Sequence, residues 1–192
     1  MGAALGGGEM EETDRRPAAF QTLYTAGHRV ELAAEATKLG PGLPGFQAYH
    51  TSVVVDDIEF AFSGDGICYG PGLMSHRMLP DEVKVTYMGL TSITGDSMRS
   101  TLKQFFDRGT YDLLRKNCNS FSDCSLYFLL DCRLDPGYRG LEQLGHMADK
   151  RGGIVQAITG GDYRPNVKAN EFSVERCIRH VNKIKSGPLF VK

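Results

Sequence analysis

The chain has 192 residues, 41% of them hydrophobic and 23% charged, which fits a soluble globular domain with its own core and some tail. Its 22 basic and 23 acidic residues leave a formal net charge of -1, so it carries no basic footprint for nucleic acid or an anionic membrane. No run of about 18 apolar residues occurs, so no segment reads as a transmembrane helix.

Residues 1–18, rich in Gly, Ala and Glu, are expected to be a disordered tail. They lack the basic and apolar regions of a secretory signal, and Gly6 stands where a myristoylation pattern wants Ser or Thr. "FQTLYTAG" (20–27) reads as a short strand, and "RVELAAEAT" (29–37) as a second strand or a helical turn. "KLGPGLPGF" (38–46) is a Gly/Pro-dense loop.

The strongest β signal follows. "AYHTSVVV" (48–55) and "IEFAFSG" (58–64) flank Asp56-Asp57, two β-branched and aromatic runs around a two-residue turn, which predicts a hairpin. "GDGICYGPG" (64–72) reads as a glycine-rich loop and "EVKVTYMGL" (82–90) as a third strand. "DSMRSTLKQFFDRG" (96–109) puts Met98, Leu102, Phe105 and Phe106 on one helical face and closes at Gly109. "TYDLL" (110–114) is a short extended segment.

From Asn119 onward, Phe121, Cys124, Phe128, Leu129 and Cys132 form the inward stripe of a helix that ends near Asp135-Pro136. "GLEQLGHMADKRGG" and "SVERCIRHVNKIK" read as further helices on either side of a Gly- and Asn-rich stretch, 152–170. The last carries Val174, Cys177, Ile178 and Val181 on one face. The fold class that results is α+β, a small antiparallel sheet packed against helices.

Five cysteines without CxxC or CxxH spacing argue for reduced thiols in a cytoplasmic or nuclear setting, with no zinc site, no other metal and no cofactor. Cys124 and Cys132 fall on an apolar stripe and read as core; Cys68 and Cys177 read as structural. Cys118 is different. It sits between Asn117 and Asn119 at the start of the helix, where partial positive charge and unpaired N–H groups favour a thiolate. A small hydrophobe at a helix entry is the competing reading. Among the histidines, His28 and His76 lie in loop contexts and His146 and His180 on helices. His50 begins a strand, a rigid mount suited to a general base.

The stretch Tyr111 to Phe121, "YDLLRKNCNSF", taken with "HTSVVV" from His50 and "EFAFSGDGI" from Glu59, resembles the PPPDE family of cysteine peptidases. These are papain-like with the histidine ahead of the cysteine, as in a permuted papain order. The resemblance covers roughly residues 20–145, so the domain is placed at 19–145 and a C-terminal helical extension at 146–192. It departs from the family at Tyr49, where an aromatic such as Trp is common, and at Asp65 in the glycine loop.

The resemblance implies a Cys–His isopeptidase that removes SUMO or ubiquitin from substrate lysines, with Cys118 as nucleophile and His50 as base. The partners it implies are a ubiquitin-like modifier and its protein conjugates, with no nucleic acid and no membrane. Asn117 and Asn119 flank the nucleophile and are expected to shape the turn or assist the oxyanion. An imidazolium–thiolate pair is the expected attacking state, and the glycines at 40–46 and 64–72 are expected either to wall a narrow groove or simply to make turns. Two other readings stay open: a module that binds ubiquitin-like proteins without catalysis, and a lecithin–retinol acyltransferase-like thiol acyltransferase. Against the latter, Asn119-Ser120 stands where those enzymes have Glu-His.

Overall fold

The computed structural model describes residues 27–37, 47–79, 81–142, 161 and 163–187. The expected tail, the strand at 20–26, the 38–46 loop and most of the helix predicted from Gly140 lie outside them. Five antiparallel strands, β1 (His28–Thr37), β2 (Ala48–Val55), β3 (Ile58–Ser63), β4 (Gly66–Pro71) and β5 (Lys84–Thr91), form one sheet in the order β4-β3-β2-β1-β5. Helices α1 (Gly95–Leu102), α2 (Cys118–Leu130) and α3 (Val174–Lys185) accompany it. The α+β class read from the sequence is the class observed.

The hairpin at Asp56-Asp57 forms as predicted. Both aspartates have positive φ, 49° and 67°, the left-handed pair a two-residue type I′ turn needs. Asp56 Oδ1 also accepts the Arg29 N–H at 2.8 Å, which ties the turn to β1.

One open alternative is decided, and other expectations change. Residues 29–37 are a strand without a helical turn, paired with β2 from Val30–Val55 to Thr37–Ala48 and with β5 on the other side. The expected loop 64–72 is mostly β4, which pairs with β3 from Ser63–Gly66 to Ile58–Pro71 after a turn that Gly66 makes at φ 91°. Glycine at that turn explains part of the richness that read as loop. The helix expected at 96–109 stops at Leu102, continues as a 3-10 turn over Lys103–Phe105, and leaves Phe106 to insert into the core.

The core lies between the sheet and α2. Phe62, Phe106, Phe121 and Phe128 are fully buried. Phe62 and Phe121 each meet Phe106 edge-to-face, with ring centres 4.9 and 5.2 Å apart. α2 ends at Asp131, four residues before the expected Asp135-Pro136, because Asp131 turns left-handed at φ 55° and cannot continue the helix. Cys132 therefore lies beyond the helix and is half-buried, whereas Cys124 and Cys177 are buried in the core. Val174, Cys177, Ile178 and Val181 of α3 pack into the same core, and Lys185 Nζ donates to Asp131 Oδ1 at 2.7 Å.

One buried carboxylate holds α2 in place. Asp123 accepts Arg133 through both oxygens (2.8 and 2.9 Å) and the Leu134 N–H at 2.9 Å, with Arg139 at 3.3 Å. Asp123→Ala leaves the buried Leu134 N–H without its acceptor and takes from Arg133 and Arg139 the carboxylate they share, leaving them Glu175 and Glu142. It is expected to cost about 2–4 kcal/mol, read from the urea unfolding midpoint.

Candidate active site

The segment before α2 is built around Asp112. Its Oδ1 accepts the N–H groups of Leu114 and Arg115, both at 3.0 Å, and its Oδ2 accepts the Asn166 N–H at 2.8 Å. The backbones of Asp112 and Lys116 exchange two 2.9 Å hydrogen bonds, so the chain returns on itself and delivers Asn117 as the helix cap. Asn117 Oδ1 accepts the Ser120 N–H at 3.0 Å and Ser120 Oγ accepts the Asn117 N–H at 3.4 Å, a reciprocal capping box. Cys118 is thereby the first residue of α2.

The sulfur sits beside β2. The pairing of β2 with β3 runs only from Val55–Ile58 to Val53–Phe60, and α2 begins where β3 has left the strand edge. The Thr51 backbone lies close enough to Cys118 Sγ to favour its thiolate, the thiol donates to Asn119 Oδ1 at 3.7 Å, and Asn119 Nδ2 donates to the Tyr49 carbonyl at 3.1 Å. Thr51 Oγ1 also donates to Asn119 Oδ1 at 2.9 Å and lies 2.9 Å from Ser122 Oγ. The start of the helix thus takes the place of a neighbouring strand. Cys118 lies against the peptide that directly follows His50.

Both asparagines are engaged on all their polar atoms. Asn119 Nδ2 also donates to the Tyr138 carbonyl at 2.8 Å, and Asn117 Nδ2 donates to the Leu113 carbonyl at 2.9 Å. These bonds join α2 to β2, to the 3-10 turn Pro136–Arg139 and to the preceding segment.

Cys118 is 4% exposed. Burial pushes its thiol above the ordinary value. The Thr51 N–H pulls it down, the Glu142 carboxylate pushes it up, and the Asn119 N–H and the Tyr111 hydroxyl pull it down. Tyr111 is itself held well above the usual tyrosine range, first by burial and then by the neighbouring sulfur. Glu142 is also raised by burial, although Ser120 Oγ donates to it at 2.8 Å.

His50 belongs to the other face of β2. Side chains alternate along a strand, so while Thr51 meets α2, His50 and Ser52 meet the 3-10 turn Met74–His76. His50 Nε2 lies 2.8 Å from Ser75 Oγ, and its ring packs on the His76 ring at 4.6 Å. Burial lowers its pKa to about 4; the His76 charge lowers it too, and the Glu59 charge opposes both. A depression of about 420 Å3 opens beside Tyr49, lined also by Ala34, Ala36, Glu82, Lys84 and Tyr138. The Tyr49 and Tyr138 rings meet edge-to-face there at 5.0 Å.

Residues 22–138 match the family model described as "PPPDE putative peptidase domain". The chain belongs to the PPPDE peptidase family. Desumoylating isopeptidase 1 of Xenopus laevis is 31% identical over 110 residues, which make up 54% of this chain. That match spans 63% of the relative, so this PPPDE chain covers less than two thirds of its length.

Within the PPPDE segment the structure adds residues that the sequence did not single out. Glu35, Glu59, Ser75 and His76 form a polar cluster behind His50, and Tyr111, quoted for its spacing, contacts the sulfur. Two signals were available. Glu59 is a carboxylate inside the apolar run "IEFAF", and Tyr111 is an aromatic set before a polar turn. For His76, in "LMSHR", no local pattern marks burial. In the region 64–72 Gly66 makes a turn into the edge strand β4, and 40–46 lies outside the described residues.

Tyr111→Phe removes the hydroxyl that favours the thiolate and keeps the ring. Alkylation of Cys118 at pH 8, followed by peptide mass, is expected to slow about 3- to 10-fold with the circular dichroism spectrum unchanged.

Proposed function

We propose that this chain is a cysteine isopeptidase that removes a ubiquitin-like modifier from substrate lysines, with Cys118 as nucleophile and His50 as general base. The observation that carries the proposal is the position of Cys118: first residue of a capped helix that packs on β2 beside Thr51, the residue after His50. The Xenopus relative is named for desumoylation, which makes SUMO the first modifier to test.

In the proposed reaction the modifier's C-terminal glycine carbonyl approaches Cys118 at the start of α2. His50, whose ring contacts Ser75 and His76 in the resting structure, turns towards the sulfur and takes the thiol proton as sulfur bonds to the carbonyl carbon. The N–H groups at the start of α2 are suited to receive the developing oxyanion. The C–N bond breaks, His50 returns the proton to the lysine amine, and water hydrolyses the thioester with His50 again as base. Asn117 and Asn119 act by holding the turn.

Burial favours the neutral forms of both partners, raising the thiol and lowering the imidazole, so the resting pair is thiol and imidazole. In this reading the proton moves with the attack.

A second reading is favoured by the same burial. A cysteine only 4% exposed also suits a module that binds a ubiquitin-like protein without cleaving it. Incubation with a SUMO-conjugated and a ubiquitin-conjugated protein decides between them. Release of the free modifier supports the isopeptidase; stable co-elution with intact conjugate supports the module.

A further inference from the structure

The sequence offers no third residue to orient the imidazole. The structure holds one. Glu59, 3% exposed in β3, accepts from Ser75 twice: Oε1 takes the hydroxyl at 2.6 Å and Oε2 takes the N–H at 2.9 Å. Ser75 Oγ lies 2.8 Å from His50 Nε2.

A hydroxyl has one proton, and an ionised carboxylate only accepts. With the Ser75 proton committed to Glu59, Ser75 Oγ is left as an acceptor, so His50 Nε2 must carry the hydrogen and donate. A neutral imidazole has one N–H, which leaves Nδ1 as the basic nitrogen. Nδ1 is also the ring nitrogen nearer the backbone, and the strand residue that follows His50 is Thr51, whose hydroxyl meets α2 at Asn119.

The support behind Ser75 is rigid. His76 Nδ1 lies 3.1 Å from Glu35 Oε2, and Nε2 lies 3.0 Å from Ser52 Oγ and 3.7 Å from Glu59 Oε1. Glu35 Oε1 accepts the Asp81 N–H at 3.0 Å, and Glu35 is the cross-strand partner of His50. The turn Met74–His76 is therefore tied to β1, β2 and β3 by buried side chains, and its histidine ring packs flank-on against His50.

We propose that Ser75, anchored by Glu59, is the positioning residue that fixes His50 as its Nε2–H tautomer and so makes Nδ1 the nitrogen that takes the Cys118 proton. The inference rests on the isopeptidase reading for its catalytic meaning, but the tautomer itself can be read without activity.

The test uses the full chain with 15N-labelled histidine and the variants Ser75→Ala, Ser75→Thr and Glu59→Gln. Long-range 1H–15N spectra above pH 6 are expected to show His50 with protonated Nε2 in the wild type. In Ser75→Ala and Glu59→Gln they are expected to show a mixture of tautomers, and in Ser75→Thr the wild-type state. In the conjugate-cleavage assay, Ser75→Ala is expected to lower kcat about 10- to 100-fold with KM within about twofold, and Ser75→Thr to restore it. The pH profiles of these variants report His50 together with Glu35 from β1, Glu59 from β3, His76 from the turn and Cys118 from α2, the ionisable groups around it.

Wild-type His50 protonated on Nδ1 overturns the proposal, as does a tautomer or a kcat that Ser75→Ala leaves unchanged. If the wild type cleaves no conjugate, the isopeptidase reading fails and the tautomer spectra still decide the role of Ser75.

Discussion

Cys118→Ala is expected to reduce release of a ubiquitin-like modifier by at least about 1,000-fold while the protein keeps its fold. The reaction proposed here passes through a thioester, and alanine offers no atom to form one. The fold should tolerate the change. The cap of α2 is made by Asn117 and Ser120, and the contact with β2 by Asn119, Thr51 and Ser122; none of these bonds uses the sulfur. What is lost is one sulfur from a buried position and its contacts with the Thr51 backbone and the Tyr111 hydroxyl, about 1 kcal/mol or less. Steady-state cleavage and thermal unfolding of the same preparation check both halves. Equal loss of activity and of folded protein would remove the inference that Cys118 acts chemically.

The second large effect belongs to His50 and has two readouts. His50→Gln keeps a polar side chain of similar size and removes the base, so cleavage should fall about 100- to 10,000-fold. Its stability effect depends on pH, with a sign that follows from the lowered pKa. Folded His50 is neutral down to about pH 4, whereas an unfolded chain protonates it near 6.5. Between those values the unfolded state binds the extra proton, so wild-type stability is full above about pH 6.5 and declines as the pH falls towards 4. The decline attributable to this one group is on the order of 2–3 kcal/mol. Urea unfolding at pH 7 and pH 4.5 should show a smaller drop in His50→Gln than in the wild type. An equal drop in both would mean that His50 is not the group that burial holds neutral.

The local rules read the hairpin and the start of α2 well, for a common reason. A two-residue Asp-Asp turn and an Asn cap ahead of Ser120 are decided by bonds within a few residues. β4 was hidden by its own glycines, because Gly66 serves a turn while Ile67, Cys68 and Tyr69 pair with β3. The end of α2 was set by a left-handed aspartate, which stripe periodicity cannot see. Cys118 and His50 are singled out by the family motif around them, and their roles rest on that resemblance. The cluster behind His50 was not, because it is assembled by sheet register: Glu35 faces His50 across β1 and β2, Glu59 lies on β3, and Ser75 and His76 come from a turn outside the sheet. Only the pairing of strands brings those five side chains to one place. The same register explains why His50 contacts Ser75 while Thr51, the residue after it, meets α2.

The most direct test of the account is intact mass after incubation with SUMO and ubiquitin probes that carry an electrophile in place of the C-terminal carboxylate, with Cys118→Ala alongside. The account predicts that the wild type gains the mass of one SUMO probe, that ubiquitin adds more slowly or not at all, and that Cys118→Ala gains neither. A folded wild-type protein that takes up no probe, or an adduct that survives Cys118→Ala, would contradict it.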